Sequence, residues 1–124
     1  MFKDTPAFSS FSVDDIAKAK DFYGDTLGLQ VTQPMDQLSL TLGGGGTVFV
    51  YAKSNHTPAT FTVLNFRVAD IEQAVAELTR HGITFERYPD MNMDAKGIVR
   101  AEEGPLIAWF KDPAGNILSV LQDR

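Results

Sequence analysis

The side chains able to do chemistry at neutral pH are few and scattered. There are two histidines, His56 and His81, and no cysteine. Without thiols, the chain can form no disulfide, no thiolate metal site and no cysteine nucleophile. His56 sits in Ser-Asn-His-Thr-Pro, with no second ligand at helical or strand spacing. His81 falls in the last turn of a helical pattern, where the helix dipole favours it. Both read as surface or capping residues. Glu102 and Glu103 read as a solvated pair. A metal site built from Glu86, Asp90 or Glu102 has no positive signal. Gly43, Gly44, Gly45 and Gly46 invite a phosphate-loop reading, but no Lys-Ser or Lys-Thr follows and the run joins two strand patterns. A hairpin turn is the better reading.

The elements that position these groups are written twice. Phe11-Ser-Val13-Asp-Asp15-Ile16-Ala-Lys-Ala19 returns 55 residues later as Phe66-Arg-Val68-Ala-Asp70-Ile71-Glu-Gln-Ala74. Phe, Val, Asp, Ile and Ala recur at the same offsets. Both copies change from alternation to a helical pattern at the Asp, which implies two copies of one supersecondary unit. The echo continues in Leu27-Gly28-Leu29 and His81-Gly82-Ile83, with one residue fewer in the second copy.

Composition narrows the partners. The 124 residues suit one domain, or two small modules sharing a core. Hydrophobic residues make up 44%, too many for a disordered chain. A net charge of −5, with no run of Lys or Arg, argues against nucleic acid and anionic membranes as main partners. The N-terminus shows no secretory h-region, and the run at residues 48–52 is far too short to span a bilayer. The default is a cytoplasmic protein.

Taken in order, residues 6–13 read as a strand, with Phe11 and Val13 on one face and Phe8, Ser10 and Ser12 on the other. Asp14 or Asp15 caps a helix with the stripe Ile16, Ala19, Phe22, Tyr23 and Leu27, stopped at Gly28. Strands follow at 29–33, 37–42 and 47–53, and residues 54–60 have linker composition. The second copy has a strand at 61–68 and a helix capped by Asp70 with the stripe Ile71, Ala74, Val75 and Leu78. Its later strands fall at 83–86, 106–110 and 117–121. Residues 87–104, with a short strand near 98–100, form a long charged loop without counterpart in the first copy, and such loops are usually functional or mobile. Each half is thus strand, helix and three strands.

Trp109-Phe110-Lys111-Asp112-Pro113-Ala114-Gly115-Asn116, with the two βαβββ modules and Phe22-Tyr23 preceding Leu27-Gly28-Leu29, resembles the vicinal oxygen chelate superfamily. That group includes glyoxalase I, extradiol dioxygenases, methylmalonyl-CoA epimerase, fosfomycin-resistance thiol transferases and bleomycin-binding proteins. The resemblance implies an α+β fold of mixed curved sheets with helices on the convex face. It implies one domain over residues 1–124, made of modules 1–53 and 61–124 joined by linker 54–60. It also implies a homodimer.

Metal-dependent members of that family hold a divalent ion with four side chains, typically His, Glu or Gln. The corresponding positions here are Phe8, Val63, Ser119 and either Phe49 or Tyr51. Phe and Val offer no lone pair, and a neutral Ser is a poor ligand. Neither metal nor cofactor is expected. The resemblance turns Phe8, Ser10, Ser12, Phe49, Tyr51, Val63, Asn65, Arg67, Trp109 and Ser119 toward a cavity, as ligand-binding residues. Apolar walls with a few placed polar groups suit a small molecule. Trp109 offers a flat stacking surface, and Arg67 a cation for a carboxylate, phosphate or aromatic face. No catalytic residue is assigned: Arg67, Glu86, Tyr88 and Glu102 are candidates by position alone and form no pair or triad. The leading expectation is a metal-free protein that sequesters a small aromatic or amphipathic molecule, of the bleomycin-resistance type. The alternative is a metal-dependent lyase or oxygenase of the glyoxalase or dioxygenase type with an unorthodox site, resting on fold alone.

Overall fold

Asp15 and Asp70 open the two helices in the same way. Each has extended backbone (φ −139° and −140°) and accepts a hydrogen bond from the amide three residues on, Lys18 N at 3.1 Å and Gln73 N at 3.2 Å. A carboxylate at this position satisfies an amide that the first turn leaves unpaired. The computed structural model describes residues 1–124, and the chain divides into two compact units, Met1–Thr57 and Pro58–Arg124.

In the first unit, β1 (Ser9–Val13) leads into α1 (Ile16–Lys20), and β2 (Gln30–Thr32), β3 (Leu38–Thr41) and β4 (Thr47–Ala52) follow. The sheet order is β1-β4-β3-β2, with β1 and β4 parallel and the other pairs antiparallel. Alternation sorts the faces as expected. Phe11, Val13, Leu38, Leu40, Val48 and Val50 are buried. The glycine run is the β3–β4 turn, where Leu42 N bonds Gly46 O and Gly45 N bonds Leu42 O.

The first helix departs from the single α-helix that the periodicity suggests. After Lys20 it widens into a π-helix, Asp21–Thr26, and Leu27 N reaches back to Phe22 O. Gly24 weakens the helical preference at its centre. The neighbours Phe22 and Tyr23 are both buried here, with their rings edge-to-face at 5.1 Å. Tyr23 also meets the Phe11 ring at 5.9 Å.

In the second unit, β5 (Thr62–Arg67), α2 (Ile71–Arg80), β6 (Leu106–Lys111) and β7 (Ile117–Gln122) give the sheet order β5-β7-β6, with β5 and β7 parallel. The strands expected at 83–86 and 98–100 do not form as strands. The outer edge of β6 is instead divided between two segments. Val99 bridges Ile107, and Glu86 N bonds Trp109 O at 2.8 Å. The charged loop brings Val99 onto an edge that residues 83–86 would otherwise occupy alone, so neither segment extends into a ladder. Side chains near 85–88 still alternate. Phe85 packs on Phe110 at 5.7 Å, Glu86 pairs with Lys111 at 3.3 Å, and Tyr88 packs on Trp109 at 5.5 Å.

The chain is an α+β protein of two related modules: the first is βαβββ, and in the second the 83–86 segment takes the place of a strand through the Glu86–Trp109 bond. No helix is long and apolar enough to cross a membrane.

Candidate functional site

Period-2 alternation that buries one face of each sheet leaves the other face to smaller and aromatic residues. In the first unit, register sets Ser10 of β1 and Ser39 of β3 on either side of Phe49 of β4, with Ser12 beside Tyr51. The Phe49 and Tyr51 rings stack 6.2 Å apart at 19°. His56 Nδ1 lies 2.7 Å from Ser12 Oγ. Phe8 precedes β1 and is 69% exposed.

In the second unit, register aligns Asn65, Ser119 and Trp109 in one row across β5, β7 and β6. The buried Ser119 hydroxyl donates to Asn65 Oδ1 at 2.5 Å. Trp109 Nε1 donates to Thr62 Oγ1 at 3.1 Å, and Tyr88 meets the indole edge-to-face. The indole is therefore fixed at its nitrogen and on one flank. Burial is the main force holding the Tyr88 phenol above its usual pKa. Glu86 adds to it, and Lys111 opposes it. The phenol thus stays a neutral hydrogen-bond donor at physiological pH. Beside it is a recess of about 340 Å³ lined by Arg87, Tyr88, Pro89, Met91 and Met93.

Two groups of the expected residues come together: Ser10, Ser12, Phe49 and Tyr51 in the first unit, and Asn65, Trp109 and Ser119 in the second. Arg67 shares the second sheet but is paired with Asp123 at 2.6 Å. The register shifts between Thr62 and Leu64, leaving Val63 without a partner across the ladder. Sequence reasoning missed Thr62 and read His56 as a surface or capping residue, without its contact to Ser12. A bulge moves Thr62 into reach of Trp109, and alternation gives no sign of it. His56 reaches Ser12 through chain reversal in a segment of linker composition.

The residues at the family's ligand positions do not fit a divalent ion. Phe8, Val63, Phe49 and Ser119 supply no charged or imidazole donor, and no three His, Cys, Asp or Glu residues cluster to hold one.

The charged loop is fastened to α2. Asp94 pairs with Arg100 at 2.9 Å, Arg100 also pairs with Glu72, and Lys96 reaches Glu72 at 2.8 Å. Burial pushes the Asp94 carboxyl upward. The Ile98 amide, the Arg100 guanidinium and the Lys96 amide outweigh it and hold the pKa below the usual value. A lowered carboxylate pKa stabilises the fold above the unfolded value, about 4, and that contribution is lost as pH falls through the native pKa. The Lys96 and Ile98 amides should therefore keep their hydrogen-exchange protection down to about pH 4 and lose it as pH falls further, after correction for intrinsic rates. In Asp94→Asn the step should vanish; an unchanged step would assign it to another group.

This chain belongs to the Glyoxalase/Bleomycin resistance protein/Dioxygenase superfamily, whose family model matches residues 8–120. Among curated proteins it is similar to YraH of Bacillus subtilis (strain 168), 24% identical over 123 residues, covering 87% of this chain and 90% of that one. Its fold is similar to that of TnmS3, an antibiotic binding protein from Streptomyces sp. CB03234, at 23% identity and a TM-score of 0.69, covering 98% of each chain. It is also similar to the fosfomycin resistance protein FosX of Listeria monocytogenes, at 9% identity and a TM-score of 0.74, covering 98% of this chain and 94% of that one.

Proposed function

We propose that the protein binds a small aromatic or amphipathic molecule, without a resident metal ion, as a sequestering protein of the antibiotic-binding type. The observation that carries this reading is the Trp109 arrangement. A half-buried indole is fixed by Thr62 and Tyr88 and sits in register with the polar Asn65–Ser119 pair. Restraining a large aromatic side chain before the ligand arrives lowers the entropic cost of binding. The open face of the first sheet, with Ser10, Ser12, Phe49 and Tyr51, offers the same mixture of rings and hydroxyls. Phe8 and Val63 add apolar surface. Arg67 contributes through its stem, since its charge is met by Asp123. The names of TnmS3 and FosX support a resistance or binding role. The working form in this reading is a cytoplasmic homodimer.

Trp109 is the only tryptophan, so its fluorescence reports on this face directly. A library of aromatic antibiotics and cationic amphiphiles should contain compounds that change its emission and raise the melting temperature. Trp109→Ala should weaken those compounds on the order of 10-fold or more, the loss expected for a central aromatic anchor. Light scattering on the same sample should give twice 13.6 kDa. No response across the library would remove the binding reading. Near-stoichiometric metal in protein purified without chelator would move a metal-dependent enzyme to first place.

A further inference from the structure

We propose a second ligand site on the helix side of the second unit, for an amphipathic carboxylate. A groove of about 610 Å³ runs between α2 and the segment that follows it. It is lined by Val75, Ala76 and Thr79 of α2, by residues 83–85, and by Arg87, Ala95 and Lys96. Its volume lies within the range of small-molecule sites. Its lining is mainly aliphatic and aromatic, and the alternation around residues 85–88 separates it from the Trp109 row. Phe85 packs on Phe110, whereas Tyr88 packs on Trp109.

Charge selects the occupant. The chain has 16 acids against 11 bases, yet no Asp or Glu lines this groove. Arg67, Arg80 and Arg100 each pair with a carboxylate. Arg87 has no carboxylate partner. Its guanidinium donates to two backbone carbonyls, Asp94 O at 2.9 Å and Ala95 O at 3.4 Å. A guanidinium has five N–H donors, so others remain for a carboxylate, whose fork geometry matches. The two carbonyls hold the cation at the rim, and the apolar body of the ligand lies along Val75, Ala76, Ile83 and Phe85. Lys96 also lines the groove, with its ammonium held by Glu72. Gly97 lets the loop lie close against Phe85: its φ is +88°, and a Cβ there would stand 3.3 Å from Phe85 Cβ.

Sodium decanoate is the test ligand, with decanol as its neutral analogue, followed by NMR of the Ala76, Ile83 and Ala95 methyl groups. Decanoate should shift these signals and bind at least about 10-fold more tightly than decanol, as a charge-assisted pair implies. Arg87→Met keeps the stem and should bring decanoate down to the affinity of decanol. Ala76→Phe, which fills the groove, should abolish both responses. The wild-type comparison decides the charge claim even where Arg87→Met loosens the loop. Equal binding of the two compounds, no shift at the groove, or shifts confined to residues around Trp109 would each overturn the proposal. The Trp109 reading stands or falls separately, by its own fluorescence.

Discussion

Phe110→Ala should be among the most damaging single substitutions in the second unit, costing about 3–5 kcal/mol of stability. Phe110 is fully buried one residue before the end of β6, and its ring meets Phe85 edge-to-face at 5.7 Å. Truncation removes the transfer energy of the ring and leaves a cavity beside Phe85. The loss also spreads, because residues 83–86 touch β6 through few backbone bonds and rely on Phe85 for their place. Guanidinium unfolding monitored by circular dichroism would measure the effect. Phe110→Leu, which refills part of the volume, should cost roughly 1–2 kcal/mol. A Phe110→Ala cost no greater than that of Phe110→Leu would mean the site collapses freely and is not the centre of this core.

Asp112→Ala should cost about 3 kcal/mol and lower the melting temperature by about 10 °C. The Asp112 side chain is almost fully buried in the turn between β6 and β7. It accepts from Asn116 N at 2.8 Å, Ala114 N at 3.0 Å and Asn116 Nδ2 at 3.2 Å. Removing the carboxylate strands donors on residues that are themselves buried, which costs more than the bonds contributed. Gly115 closes the turn at φ +87°, where a Cβ would stand 3.0 Å from the Pro58 ring. Asn116 Oδ1 meanwhile accepts from Ala59 N at 3.2 Å. The turn thereby anchors the start of its own unit. Asp112→Asn, which retains an acceptor, should lose less. Equal losses in the two variants would show that charge, not acceptor geometry, holds the turn.

Much of this architecture was legible because the responsible forces are local. An aspartate before a helical stripe can satisfy free amides, so Asp70 and the pair Asp14-Asp15 mark helix starts without tertiary help, and the structure selects Asp15 of the pair. Alternation at Leu38, Leu40, Val48 and Val50 names the buried face because a strand has only two. The Asp112 turn is readable from Asp-Pro-x-Gly-Asn. The divided edge of β6 was not legible. Which segment pairs with an edge depends on where a long loop returns, and residues 83–86 and 98–100 look alike in pattern. The candidate site was legible by face but not by partner. Alternation places Asn65, Trp109 and Ser119 together, whereas Thr62 arrives through a bulge and Asp123 meets Arg67 from the chain terminus. The groove at Arg87 was invisible, since it arises from the spacing between a helix and a loop.

The π-helix accounts for a difference in spacing between the two halves. Gly28 lies 13 residues after Asp15, but Gly82 lies only 12 after Asp70. Both glycines end their helices at positive φ, +75° and +88°. A hydrogen bond to the fifth preceding residue instead of the fourth takes up one extra residue in a turn. The widened turn is therefore where the first copy accommodates its extra residue between aspartate and glycine. Removing one residue from Asp21–Thr26 should leave an α-helix throughout, with its glycine 12 residues after its aspartate as in the second copy.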